Sequence, residues 1–250
     1  MPYRKLPNSV PAVIRTLKAA RDEWKITAAP DRAITADHWA KLDDAAPASL
    51  LNLVLNEASH VELAQAGQAP LTTQVSQVAA RLTMNVSHFH QVLDLGIARG
   101  TFAAGARSYY GRDVSATAIP DLSTFDAVGE EAGNIVTGEV ARKTAEGAGH
   151  IPMALPSAAE VDALRTQFST LGDQSEQAQV HTDKQREELQ AIYPEAQTLA
   201  VDICDTVEFF YRKDPDDSSR RVKCSRWGVV YVYDQPAAPA PAPAPAPPPV

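Results

Sequence analysis

Residues 71–100, LTTQVSQVAARLTMNVSHFHQVLDLGIARG, decide the fold. Leu71, Val75, Val78, Leu82, Val86, Phe89, Leu93 and Ile97 recur at steps of three and four. That spacing places eight apolar side chains on one face of an α-helix, with no proline to interrupt it. Gly100 suits the helix end, because glycine relieves the positive φ of a C-cap. One helix cannot bury such a stripe alone, so other segments must cover it, and the helices that begin near Pro47 and Ser157 are the candidates.

The flanking segments read as further helices. Asn8 or Ser9 caps a first helix whose apolar face carries Val10, Val13 or Ile14, Leu17 and Trp24. Thr35 or Asp37 caps a short helix through Trp39 and Leu42. A long helix begins near Pro47, with Leu50, Leu51, Val54, Leu55, Ala58 and Val61 on its face. Gly67 and Pro70 mark a turn, which makes residues 48–66 and 71–99 an antiparallel hairpin. Thr124 or Ser123 opens a helix with Val128, Ala132, Ile135, Val136 and Val140 at helical spacing. Ser157 and Glu160 form a capping box, each side chain answering the other residue's amide. From Val161 a heptad register runs through Leu164, Phe168 and Leu171, a polar middle at Ser175, Ala178, Thr182 and Gln185, and then Leu189 to Phe210. Pro194 interrupts that register without shifting its phase, so a kinked or briefly broken helix to about Arg212 is expected. Ser218–Trp227 forms a short basic helix capped by the preceding aspartates. Val229–Tyr233 is extended, and the N-terminal Tyr3–Leu6 segment is one partner it could pair with. Eight of the fifteen residues in 236–250 are proline, the composition of a polyproline II or disordered Pro/Ala tail.

The 250 residues carry a net charge of −8 and are 44% hydrophobic. A core is affordable over most of residues 1–235, while nucleic acid and anionic membranes are repelled as partners. No run of about 18 apolar residues occurs, so no membrane span is expected. The N-terminal residues lack the apolar core of a secretory leader, and the expected location is cytoplasmic. Cys204 and Cys224 have no metal-binding spacing, and two cysteines make no disulfide framework.

Residues 1–235 resemble an uncharacterised family of bacterial helical proteins. The matching pieces are MPYRKLPN at the start, SHFHQVLDLGIARG (87–100), YYG (109–111), Gly138-Glu139 with Arg142, and RWGVVYVYD (226–234). The resemblance implies a single bacterial architecture. No activity comes with it, and the tail lies outside it.

Three stretches could carry chemistry. Glu57 and His60 stand at the i, i+3 spacing of di-iron bundles, but no second such pair exists, so a surface pair is the preferred reading. His88 and His90 point about 200° apart on a helix and cannot chelate together. His90 and Asp94, at i, i+4, share a face and could pair locally or bind a metal. Arg212, Lys213, Arg220, Arg221, Lys223 and Arg226 are opposed by three aspartates, leaving a local charge of +3 beside Trp227, Tyr231 and Tyr233. This basic patch, centred on Arg220, Arg221, Lys223, Arg226 and Trp227, is the best candidate for a phosphate or nucleic-acid contact. Pairing of its arginines with nearby acids is the plainer alternative. Glu139 and Arg142, at i, i+3, read as a solvated or interhelical ion pair. No GxSxG, dinucleotide-binding or phosphate-loop motif is present, no catalytic residue is assigned, and no cofactor is implied.

The expectation is therefore an all-α antiparallel bundle with long amphipathic helices and short extended segments near both termini. Its expected role is that of a structural or protein-interaction module, possessing a protein partner or self-associating through a coiled-coil-like face. A metal-binding or di-iron-like bundle and a nucleic-acid-binding module are the alternatives.

Overall fold

The computed structural model describes residues 2–116 and 118–233. The Pro/Ala tail read at 236–250 lies outside the described residues. The protein is all-α, with seven α-helices and one two-stranded sheet among the described residues. In chain order they are β1 (Tyr3–Lys5), α1 (Val10–Ile26), α2 (Ala36–Leu42), α3 (Leu50–Ala98), α4 (Ala106–Tyr109), α5 (Phe125–Glu146), α6 (Ala158–Tyr211), α7 (Asp217–Arg226) and β2 (Val230–Val232). The chain divides into two compact units: Met1–His60 with Arg186–Val250, and Val61–Gln185. Both boundaries fall inside α3 and α6.

The expected hairpin at Gly67–Pro70 does not form. Residues 50–98 are one helix with Pro70 inside it. Proline in a helix interior costs about 3 kcal/mol, chiefly through a lost hydrogen bond and a clash with the preceding turn. Here Ala66, Gly67, Ala69 and Pro70 are all exposed, so water can meet the orphaned backbone. The phase of the stripe is also unbroken: Val61, Ala64, Gln68, Leu71 and Val75 are each less exposed than their neighbours. At Pro194, where a kinked or briefly broken helix is expected, α6 is one helix that runs through to Tyr211.

In the unit Val61–Gln185, the opening stripe is the core. Leu82, Val86, Phe89 and Leu93 are fully buried, each contributing about 1.5–3 kcal/mol. The cover matches expectation in part. Residues 50–66 continue the same helix and cannot fold back on it. The helix from Ser157 does contribute, through Val161 and Leu164 of α6, and Ala106 and Tyr110 around α4, Val128, Ala132 and Ile135 of α5 and Met153 supply the rest. Gly138 allows α4 to sit on α5, because a Cβ there would collide with the Tyr109 carbonyl. Ser157 and Glu160 make the capping box, with Glu160 N donating to Ser157 Oγ at 3.2 Å and Ser157 N to Glu160 Oε2 at 2.7 Å.

In the other unit, α1 packs against α2 and α7. Val13, Leu17, Leu51, Val54, Ile203, Val207 and Trp227 are buried there. Gly228, at φ 95°, lets the turn after α7 approach α1; a Cβ would meet the Thr16 backbone at 2.8 Å. β2 pairs antiparallel with β1 in the register Tyr3–Val232, Arg4–Tyr231 and Lys5–Val230, the N-terminal partner the sequence offered.

Candidate functional site

The last turn of α6 and the segment before α2 border an open groove of about 440 Å³ in the unit containing both termini. Phe209 and Phe210 lie on the α6 side, 64% and 43% exposed. The helix stops at Tyr211 because Pro215 disfavours helical backbone at Asp214. Arg212 folds back: its guanidinium carbon lies 3.4 Å from the Phe209 ring centroid, and Nη1 donates to the Phe209 carbonyl at 2.9 Å. A cation there is favoured by the negative end of the helix. Arg32 faces the groove from the other side. Its Nε donates to Thr27 O at 3.1 Å, and its guanidinium stands 4.2 Å over Trp24, which stacks on Trp39. Ala33 and Ile34 form a buried floor. Among the described residues no carboxylate lines the groove.

The basic patch expected in α7 is not assembled as a binding face. Arg220 pairs with Asp217 at 2.7 Å, and Lys223 with Asp214 at 2.7 Å. Trp227 is fully buried, donating from Nε1 to Tyr211 Oη at 3.3 Å, so it is a core side chain rather than a stacking platform. Arg221 is half-buried and Arg226 is exposed. The cations of this stretch that line a groove are Arg212 and Lys213, with Arg32 joining them from far away in sequence.

A second cleft in the same unit, about 800 Å³, holds a His–Asp pair. His38 Nε2 lies 2.9 Å from Asp202 Oδ2. The Thr35 amide donates to Nδ1 at 3.3 Å, completing the α2 capping box. An amide can only donate, so Nδ1 accepts and the ring proton sits on Nε2, facing Asp202. Both ring nitrogens are thereby engaged, an arrangement that anchors α2 to α6. Cys204 and Cys224 are free and buried, and burial pushes the Cys204 thiol up to about 11. A thiol held protonated in this way is a poor nucleophile.

The unit Val61–Gln185 contains the polar cluster that sequence reading underestimated. Arg142 is fully buried, not a surface partner of Glu139. Its Nη2 donates to Glu139 Oε1 at 3.0 Å and to Ile151 O at 2.8 Å, its Nε to Tyr110 Oη at 2.8 Å, and its Nη1 to Glu146 Oε2 at 3.2 Å. Tyr110 also donates to Glu139, and His150 bridges Glu139 and Glu146 at 3.2 and 3.0 Å. Burial drives the Glu139 carboxyl up, but the bonds from Arg142 and Tyr110 outweigh it and hold the group below its usual value. Burial, then the hydrogen bond to Glu139 and the Glu139 charge, push the Tyr110 hydroxyl up, while Arg142 pulls the other way. The cluster is saturated and serves packing. A sequence signal existed: Glu139, Arg142, Glu146 and His150 continue the core stripe of α5 at helical steps. Val140, expected on that face, is 64% exposed.

The metal candidates separate. Glu57 and His60 form an exposed pair at 3.2 Å. His90 does not meet Asp94. Its Nε2 lies 2.8 Å from Glu131 Oε1, off the line of a good hydrogen bond, so neither ring nitrogen has an aligned partner. Asp94 is taken instead by Arg107 at 2.7 Å and Arg112 at 3.0 Å, which form stronger charge-assisted bonds than an imidazole would. Burial opposes its ionisation, yet the two arginines hold its carboxyl low. Among the described residues no three His, Cys, Asp or Glu side chains converge as a metal site. No helix among them is long and apolar enough to cross a membrane.

No protein-family model matches the chain, and no curated protein or solved structure matches it.

Proposed function

We propose that the chain is a cytoplasmic protein-interaction module built on a helical scaffold. The observation that carries this reading is the groove at the end of α6, where Phe209 and Phe210 remain exposed beside three cations. Exposed aromatic rings next to arginine are the composition of interface hot spots. Much of each ring is left to water, at 64% and 43% exposure. The nucleic-acid alternative draws less support, since Trp227 is buried and two of the α7 cations are paired. The metal alternative rests on Glu57 with His60, which form an exposed pair, and on His90 with Asp94, whose carboxylate is taken by Arg107 and Arg112.

Affinity capture from a lysate tests the reading, run beside sedimentation at high concentration. The full chain should retain a partner or self-associate, and Phe209→Ser with Phe210→Ser should abolish either while leaving the helical circular dichroism unchanged. A monomeric full chain that captures nothing overturns it. Repeating the capture without residues 236–250 separates the tail from the groove.

A further inference from the structure

We propose that the groove between the end of α6 and the segment before α2 binds an acidic segment of a partner protein, with an apolar side chain seated on Phe209 and Phe210. This rests on the protein-interaction reading and names the chemistry of the partner.

Charge is the first argument. The chain carries −8 overall, yet Arg32, Arg212 and Lys213 line the groove with no carboxylate among its described lining residues. None of the three makes an ion pair with a described residue, whereas Arg142, Arg107 and Arg112 all do. The two guanidiniums are also held in place. Arg212 is fixed by the Phe209 ring and carbonyl, and Arg32 by Trp24 and Thr27 O. Each spends one hydrogen on the protein, out of five, so most donors remain for a carboxylate fork. Ordering these side chains before binding lowers the entropic cost of using them.

Apolar surface is the second argument. Phe209 lies off the α6 heptad positions, and Phe210 occupies one without being buried. Both border the same groove as the cations, above the apolar floor of Ala33 and Ile34. A ligand that satisfies both halves must alternate carboxylates with apolar groups over a short length. An acidic peptide segment does so. A nucleic acid fits less well, because phosphate-tracking proteins neutralise about 6–10 phosphates and this groove supplies three cations on an acidic molecule.

The test titrates the full chain into a short fluorescent peptide of alternating glutamate and leucine, read by anisotropy. Saturable binding is expected, weakening as salt rises past about 0.15 M because the cations are exposed. Arg212→Ala combined with Lys213→Ala should weaken it on the order of tenfold, equivalent to about 1.4 kcal/mol. Phe209→Ser with Phe210→Ser should remove it, and unchanged thermal melting would show that these variants remain folded. Equal binding of a lysine–leucine peptide overturns the proposal, as does tighter binding of oligothymidylate or of a peptide of residues 236–250. If the glutamate peptide fails while Phe209→Ser and Phe210→Ser still abolish capture from lysate, the acidic partner is wrong and the interaction reading stands. If capture fails as well, both fall.

Discussion

Arginine does opposite work in the two units. In Val61–Gln185, Arg142 is buried and every face of its guanidinium meets an acceptor: Glu139, Glu146, Tyr110 and the Ile151 carbonyl. In the unit containing both termini, Arg32 and Arg212 sit on aromatic rings at the surface and leave most donors unspent. A buried charge must be saturated or the fold loses several kcal/mol. A surface charge has water as its partner and can be left available. The difference lies in desolvation, and it assigns the first group to stability and the second to recognition.

The largest effect should come from removing Arg142. Arg142→Met strands Glu139 without its cation and should cost about 3–5 kcal/mol, read as a fall in the urea midpoint. Arg212→Ala should stay within about 0.5 kcal/mol. Equal effects for the two would break the comparison.

Acid sharpens it. Glu139 and Asp94 have folded pKa values below their ordinary ones of 4.5 and 3.8. Groups depressed by folding bind protons more readily when unfolded, so stability rises with pH through that range. Their contribution is complete above the ordinary carboxylate values and fades as pH falls below them toward the folded ones. Urea midpoints should therefore drop between neutral pH and about pH 3. Arg142→Met should flatten that drop, because Glu139 loses the bond that holds it ionised. An unchanged slope in the variant would show that Arg142 does not set the Glu139 charge.

A smaller contrast lies within α5 alone. Gly138→Ala drives a methyl into the Tyr109 carbonyl and the Tyr110 ring and should cost about 1–3 kcal/mol in thermal or urea unfolding. Gly133→Ala meets nothing within 4 Å and should stabilise by about 0.5–1 kcal/mol. Similar signs for the two would mean that α4 does not press on α5 at Gly138. Smallest among the losses, Ser157→Ala should cost about 1 kcal/mol by removing the capping oxygen, seen as a shift in melting temperature.

Two prolines show how much was legible in the sequence. The phase of the apolar pattern survives Pro194, where a kink or brief break is expected, and α6 runs through it as one helix. The same test applies at Pro70, where Val61, Ala64, Gln68 and Leu71 keep step, but Gly67 and Pro70 together resemble a turn and masked it. The cost of a proline is bounded, while a helix with solvent-exposed backbone at that point can absorb it. The misreading carried forward, because a hairpin partner for residues 71–99 left no need for α4 and α5 as the cover.

The site was less legible than the fold. Trp227 beside six cations reads as a surface aromatic, yet the turn at Gly228 carries it into the core. Arg32 lies 180 residues from Arg212, and no local pattern links them. The nearest signal was Phe209, an aromatic outside the heptad positions on the last turn of a long helix.

The sequence by itself determined that the chain is helical, the capping box at Ser157, the narrow choice of caps at Thr35 or Asp37 and at Ser123 or Thr124, and the stripe from Leu71 to Ile97. All of these follow from spacings of three and four residues, which the backbone makes into neighbours. Only the tertiary structure decided which arginines are buried. Desolvation depends on what distant segments bring to a side chain, and a guanidinium on a helix carries no mark of whether its partner will be a carboxylate or water.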